Sequence, residues 1–405
     1  MARTPITKQE FDANFALAAG FGNSNPIEFT SRIFDFEAII EPCHRDLKFH
    51  DCEFNNNVKI ESGFNIITVT NNLDQQHEIF DDTNTNIFDI NIEFNTCSFN
   101  SNTQFDNLIF NGKFRIHNCT LEKVSFNNTS FNNLADFWST TFKQKTIFYK
   151  TDFNKTSVFS MSTFEENVLF TYALFGDKAI FARTKLKKGI DLSQTIISGN
   201  LQLFDLQFNF KDYEAVYVGK DDETYRNYID SDAIIPLENK VHTYQVLKKA
   251  FNDIGNYSDA ILMRREEKKS LKELVKHKLK DKNQDVNKGD KWILNLNRWS
   301  NHHLSDFRNG IWFTLGVAIV FSVLTLVFTG AYLDNICFSD CEFNPNRLMN
   351  GIKFFINFLN PARKLDYLDD LKPAFGGISY IFDFLGRIAV GYGFYQTVQA
   401  FRKYK

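Results

Sequence analysis

Residues 148–170 read FYKTDFNKTSVFSMSTFEENVLF, with phenylalanine at 148, 153, 159, 164 and 170, in steps of five, six, five and six. Outward from this stretch the alternation holds at Phe126, Phe131, Phe137 and Phe142 on one side. On the other it passes Phe175, Phe181, Leu186, Leu192, Ile197, Leu203 and Phe208. All sixteen positions are Phe, Leu or Ile, and twelve are Phe. Nearer the N-terminus the same steps give Phe88, Phe94, Phe99, Phe105, Phe110, Ile116 and Leu121, with a fainter start at Phe49, Phe54 and Ile60. Phe supplies 45 of the 405 residues, against 4 Trp and 7 Pro. Such an excess of one large side chain calls for a packing role repeated along the chain.

A second position travels with the ladder. Two residues before most ladder residues stands something small or β-branched, as at Thr140, Thr151, Ser157, Ser162, Ala173 and Thr184. A helix face repeats every 3.6 residues and a strand face every 2, so neither explains steps of five and six. A chain turning one corner per step does. Four corners make a coil of about 22 residues, and each large residue stacks on its equivalent one coil away, at the ~4.8 Å spacing of neighbouring strands. The small partner fills what interior space remains.

Thr151-Asp152-Phe153 and Ala173-Leu174-Phe175 carry the small-x-large pattern of the pentapeptide-repeat proteins, which this segment resembles. The resemblance covers residues 45–208 and implies a quadrilateral β-helix, as a domain over residues 45–210. Every second repeat here has six residues rather than five, which implies a looser corner on alternating faces. Solenoids are scaffolds, so the fold does not name a function. Some pentapeptide-repeat proteins mimic DNA, but residues 121–210 hold ten Lys/Arg against eight Asp/Glu, too balanced for that role. The whole chain, at formal net charge −3, does not read as a nucleic-acid binder either. Residues 1–44 are expected to form an N-terminal segment or cap, including a short helix beginning at Lys8. They show no basic segment followed by an apolar core, so no cleavable signal peptide is expected. Cys43, Cys52, Cys97 and Cys119 read as reduced, small residues of the interior.

Beyond the ladder, residues 211–240 are polar, without a period, and read as a linker. Residues 241–283 show helical spacing at Tyr244, Leu247, Ala250 and Phe251, a break at Gly255-Asn256-Tyr257, then Ala260, Leu262, Leu271, Leu274 and Val275. The expectation is an αα-hairpin connector. Leu247-Lys248-Lys249-Ala250-Phe251 and Gly255 to Ala260 resemble a connector of bacterial pentapeptide-repeat proteins fused to a two-helix ion-channel module. The charged run 264–282 reads as a solvated helix face or as a basic stalk near anionic headgroups.

Trp292, Ile293, Leu294, Leu296 and Trp299 place aromatic and apolar residues ahead of an apolar stretch, and residues 291–306 read as an interfacial helix. His302 and His303 have no partner ligand nearby in sequence, and no metal or cofactor is expected. Residues 311–333 are nearly all apolar and long enough to span a bilayer. Residues 378–401 form a second candidate span, interrupted by Asp383, Arg387, Gln396 and Gln399. Basic residues precede the first span and follow the second, so both ends, and the β-helix with them, are expected in the cytoplasm. The connection 334–377 is then extracytoplasmic, and Cys337 and Cys341 within it are candidates for a disulfide. Its apolar segment 348–359 is too short to span and is either re-entrant or interfacial.

Asp383 and Arg387 stand four apart, on one face of the second span. Charges at membrane depth are costly, so they face a pore or a partner helix. The same face yields Val390, Phe394, Thr397 and Phe401, which with Asp383 and Arg387 are the candidate pore-lining residues. Val390-Gly391-Tyr392-Gly393 reads like a potassium filter, but only twelve residues follow Gly393, so it lies within the span. The resemblance implies an oligomeric ion channel in a bacterial inner membrane, a tetramer by analogy with two-helix channels. Its cytoplasmic β-helix would sense a protein or small-molecule signal or guide assembly. The alternative is a membrane-anchored scaffold whose β-helix binds a cytoplasmic protein. No nucleotide loop, HExxH or nucleophile–base signature points to an enzyme.

Overall fold

A computed structural model describes residues 2–18, 25–40, 43–60, 63–70, 76–219, 234–281, 287–301, 307–329, 345–364 and 377–401. The chain divides into two compact units, Met1–Asn256 and Tyr257–Lys405.

The first unit contains a parallel β-solenoid of about seven turns, with about 22 residues per coil. Its register follows the ladder: Phe131 pairs with Phe153 and Phe153 with Phe175, while Ala135 pairs with Ser157 and Ser157 with Ala179. Four columns of rings result. Phe126, Phe148 and Phe170 stack at 5.1 and 4.8 Å, and Phe137, Phe159 and Phe181 at 5.1 and 4.9 Å. Phe131–Phe153 lie 5.3 Å apart and Phe142–Phe164 4.6 Å apart. Between columns the rings meet edge to face, as at Phe148–Phe159, 5.7 Å and 79°. Both geometries are favoured by the ring quadrupole.

The small position also has a polar task. Thr140, Ser162 and Thr184 are buried, and their hydroxyls donate to the carbonyls of Ile116, Phe137 and Phe159 at 2.6, 2.7 and 2.7 Å. Higher in the same column, Cys97 and Cys119 direct their thiols to Phe49 O and Phe94 O at 3.4 and 3.5 Å. Cys52, Cys97 and Cys119 are free and buried, as expected, whereas Cys43 is free but only half-buried. Burial pushes the Cys97 thiol up. Its hydrogen bond with Cys97, together with burial, does the same to Cys52, so both stay neutral at physiological pH. Thr151 repeats the bond on another column, Oγ1 to Phe126 O at 2.7 Å. Thr151→Val keeps the shape and leaves that carbonyl without its donor, at an expected cost of about 1–3 kcal/mol. Chemical denaturation of the full chain in detergent, followed by its β-sheet circular dichroism, measures this loss.

The corners alternate in kind. Asn107, Asn118, Asn128, Ser139, Lys150, Met161, Tyr172 and Arg183 all have φ between 50° and 60°. Each lies in a five-residue step, three residues before a ladder residue. The tight corner therefore turns through a left-handed residue.

The coils begin earlier than residue 45. Ile27–Thr30 already pairs with Leu47–His50, and Arg32–Phe34 with Glu53–Phe54, so residues 27–40 belong to the solenoid and not to a cap. The ladder is faint there for a physical reason. An antiparallel hairpin, Gly63–Thr70 with Gln76–Thr85, interrupts one coil, and Phe49 pairs with Phe94, 45 residues on. Helix α1 (Lys8–Ala18) covers the first coil, with Phe11 packed 5.4 Å from Phe29 and 5.6 Å from Phe34.

Helix α2 (Leu237–Asp253) covers the other end. Tyr244 is buried against Tyr213, ring centres 5.7 Å apart. The buried Asp191 carboxylate accepts from Asn239 Nδ2 at 2.8 Å, and Thr243 Oγ1 accepts from Leu192 N–H at 2.9 Å. The expected linker and hairpin are corrected accordingly: α2 starts four residues before 241 and belongs to the solenoid unit as its lid. The two helices of the hairpin fall in different units, with the break at Gly255, φ +75°.

The second unit contains α3 (Tyr257–Lys278), α4 (Lys288–Asn301), α5 (Phe307–Val327), α6 (Pro345–Phe358) and α7 (Ile378–Phe401). Of these, α5 is long and apolar enough to cross a membrane. It starts four residues before the expected 311, α4 occupies 288–301 rather than 291–306, and α6 occupies 345–358 rather than 348–359. Helix α7 has the expected bounds. His302, His303, Cys337 and Cys341, and with them the candidate disulfide, lie outside the described residues.

Candidate functional site

Helices α5 and α7 run antiparallel and meet through small and polar residues. The buried seam is Gly310, Thr314, Ala318, Ser322 and Thr325 on α5, and Ser379, Asp383, Gly386, Val390, Gly393, Gln396 and Ala400 on α7. A Cβ added at Gly310 would lie 2.7 Å from Thr397 Oγ1, so the backbones are as close as glycine permits. Gly393, from the filter-like sequence, faces Thr314 in the same way. Its role is close helix packing. On α5 the seam hydroxyls are satisfied within their own helix, Thr314 by Gly310 O at 2.7 Å, Ser322 by Ile319 O at 2.9 Å and Thr325 by Phe321 O at 2.8 Å, whereas the buried Ser379 hydroxyl on α7 has no partner among the described residues. At the two ends Phe307 stacks on Phe401 at 4.7 Å and Phe328 on Phe382 at 5.3 Å.

The outward faces are the apolar ones. Trp312, Ile319, Val320 and Val323 on α5 are exposed, as are Ile381, Phe384, Ile388, Tyr395 and Val398 on α7. A pair with polar groups inside and large apolar groups outside inverts the pattern of a water-soluble helix pair.

Helix α6 reaches into this pair. Phe358, at its C-terminal end, is buried with Ala318 and Val390, and Phe321, Phe354, Phe355 and Leu359 pack around them. A Cβ at Gly386 would lie 2.6 Å from Phe358 Cζ. Ala318 is the twelfth residue of α5, about 16 Å along a helix of about 32 Å. The end of α6 therefore sits level with the middle of α5.

There the chain turns, and Arg363 folds back over the Phe358 ring at 3.8 Å. Its guanidinium donates to Phe358 O at 2.6 Å and Asn360 O at 3.2 Å, capping the carbonyl end of α6. Nε donates to Asp383 Oδ1 at 3.0 Å, and Nη2 also contacts that oxygen. Arg387 Nε donates to Asp383 Oδ2 at 2.7 Å. Asp383 is 0% exposed, and its carboxylate is gripped from both sides. Arg387 Nη2 is buried without a partner among the described residues. Helix α4 is tied in by Asn297, whose Oδ1 accepts from Tyr392 at 2.8 Å and Gln396 at 3.4 Å.

The predicted stripe is thus divided. The Asp383–Arg387 pair forms at its predicted spacing, but Asp383 and Val390 point into the chain's own interior. Arg387 and Thr397 lie on the flank, half-buried, while Phe394 and Phe401 remain exposed. Arg363 was not anticipated. Its signal was a basic residue just past an apolar helix, where it can cap carbonyls, but nothing in the sequence pairs residue 363 with residue 383. Among the described residues no group of three or more His, Cys, Asp or Glu side chains could hold a metal ion.

Comparison with family models, with curated proteins and with solved structures returns no match. The class defined by fold and site is a parallel β-solenoid joined to a helical unit that holds, among the described residues, one membrane-length helix.

Proposed function

We propose that the chain is one subunit of an oligomeric membrane ion channel. In this reading α5 and α7 both span the bilayer, and α6 re-enters to mid-depth between them. The β-helix is the cytoplasmic sensing or assembly domain. The observation that carries the proposal is the inside-out helix pair with α6 ending beside its midpoint. Unsatisfied backbone is not tolerated in lipid, but a short helix and turn are tolerated there when packed against protein. Such a hairpin between two spans is the architecture of a pore lining. Two spans cannot enclose a pore, so the conducting unit is an oligomer, and Arg387, Phe394 and Phe401 are the flank of α7 available to line it.

A second reading, the membrane-anchored scaffold that binds a cytoplasmic protein, is favoured by the neutralisation of Asp383 within the chain. Flux measurements on purified protein in liposomes separate the two. A channel closed by a ring of aromatic side chains passes ions poorly at rest, and Phe394→Ser should raise resting flux several-fold by wetting the constriction. Absence of flux in both wild-type and Phe394→Ser liposomes, with correct insertion verified, would favour the scaffold.

A further inference from the structure

Two adjoining clefts border α3 and α4, and both lie just ahead of α5. One, of about 440 Å³, is lined by Arg265, Lys269, Lys272, Lys276, His277 and Arg298, with Glu273 as its lining carboxylate. Glu266 pairs with Arg265 at 3.3 Å and with Lys269 at 2.8 Å. Lys272, Lys276 and Arg298 have no ion pair among the described residues. Burial, then the fields of Arg298, Lys291 and Lys276, lowers the affinity of Lys272 for its proton. Five Lys and Arg side chains against the single lining carboxylate of Glu273 leave an excess of positive charge, which stabilises an anion.

The second cleft, of about 540 Å³, is lined by Leu279, Trp292, Leu296 and Trp299, together with Lys291 and Asn295. Trp292 is 75% exposed and Trp299 69%, an aromatic surface left open among the described residues. Positions 292, 296 and 299 follow a helical stripe. Lys291 and Arg298 lie beside it on the same helix, seven residues apart. Helix α4 therefore carries a charged flank and an aromatic flank side by side, and it ends six positions before the membrane-length helix begins.

We propose that this helix pair binds an anionic phospholipid, its phosphate held by Lys272, Lys276 and Arg298 and its glycerol and upper acyl chain lying along Trp292, Leu296 and Trp299. Charge complementarity selects the head, the aromatic flank selects an amphiphile over a free anion, and the packing of α4 against α5 puts both at headgroup level. The proposal rests on the membrane reading of α5 and deepens it by naming the lipid class.

The test uses the full chain, titrated in neutral detergent with short-chain phosphatidylglycerol, short-chain phosphatidylcholine or inorganic pyrophosphate. Tryptophan fluorescence and melting temperature are the readouts. Phosphatidylglycerol should raise the melting temperature and change the Trp emission, and phosphatidylcholine should do neither. The double variant Lys272→Glu/Lys276→Glu should weaken phosphatidylglycerol binding by about thirtyfold or more. Trp299→Ala should weaken the lipid response while leaving the salt dependence of binding intact. Equal responses to the two lipids would overturn the proposal. So would a pyrophosphate response that matches the phosphatidylglycerol one, which would make the ligand a soluble phosphate. Alkaline extraction of native membranes keeps the two readings distinguishable. If the protein stays in the membrane pellet but shows no preference for phosphatidylglycerol, this inference fails and the membrane reading stands. Release into the supernatant would sink both.

Discussion

Replacing Phe159 by Ala should destabilise the solenoid by about 3–5 kcal/mol, the range for emptying a fully buried aromatic site. Phe159 is wholly buried at the centre of the stack. It lies between Phe137 and Phe181 in its own column, and it meets Phe148, Phe153 and Phe170 edge-on at 5.7, 5.8 and 5.6 Å. With Phe164 tilted against it at 6.4 Å, removing it deprives six rings of contact at once. The coils cannot close the gap, because their separation is set by the hydrogen-bond ladder on every face. In a solenoid each coil touches only its neighbours, so the loss falls on the interfaces above and below and should also reduce unfolding cooperativity. Denaturant titration of wild type, Phe159→Ala and the control Trp138→Ala measures the effect. Trp138 is exposed, and its removal should stay within about 0.5 kcal/mol. Equal effects at the two sites would mean that the ladder is not the core.

Asp383→Ala should be comparably severe for the helical unit, at about 3–5 kcal/mol. The carboxylate is the anion facing both Arg363 and Arg387, and its loss leaves the buried Arg363 guanidinium and the half-buried Arg387 one without their counter-charge. Arg363→Ala should cost less, because Asp383 keeps Arg387, although the carbonyls of Phe358 and Asn360 lose their cap. The double variant Asp383→Ala/Arg363→Ala should recover part of the loss, the mark of a coupled pair. Thermal unfolding in detergent of the two singles and the double tests the coupling. Strict additivity would show that Arg363 and Asp383 do not act together.

The first of these effects was legible in the sequence and the second only in half. The spacing of five and six by itself places Phe159 inside, since the contacts of a solenoid repeat along the chain. The i,i+4 relation of Asp383 and Arg387 was legible for the same reason, as helical geometry makes them neighbours. Arg363 was not, because its approach to Asp383 depends on the turn after α6. The early coils were hidden by the hairpin at 63–85, which breaks the period without breaking the stack. Helix α2 shows the same amphipathic pattern whether it connects or covers, so its place as the lid of the solenoid was not readable from Tyr244, Leu247 and Phe251 alone.

Sequence alone was enough to establish a β-solenoid with phenylalanine inside, small hydroxyl or thiol residues beside it, and apolar helices after it. One-dimensional order suffices there, because each residue's partners lie one coil or one helical turn away. Tertiary structure decided the rest. It holds Met161, Tyr172 and Arg183 in a left-handed conformation that none of them prefers, since the ladders on either side leave the corner no other path. It also set the rotation of α7, turning Asp383 and Val390 inward and leaving Phe394 outward. An apolar helix with a few polar residues can satisfy its pattern at several rotations. The close approach at Gly310 and Gly393 and the burial of Phe358 against Ala318 and Val390 select one of them.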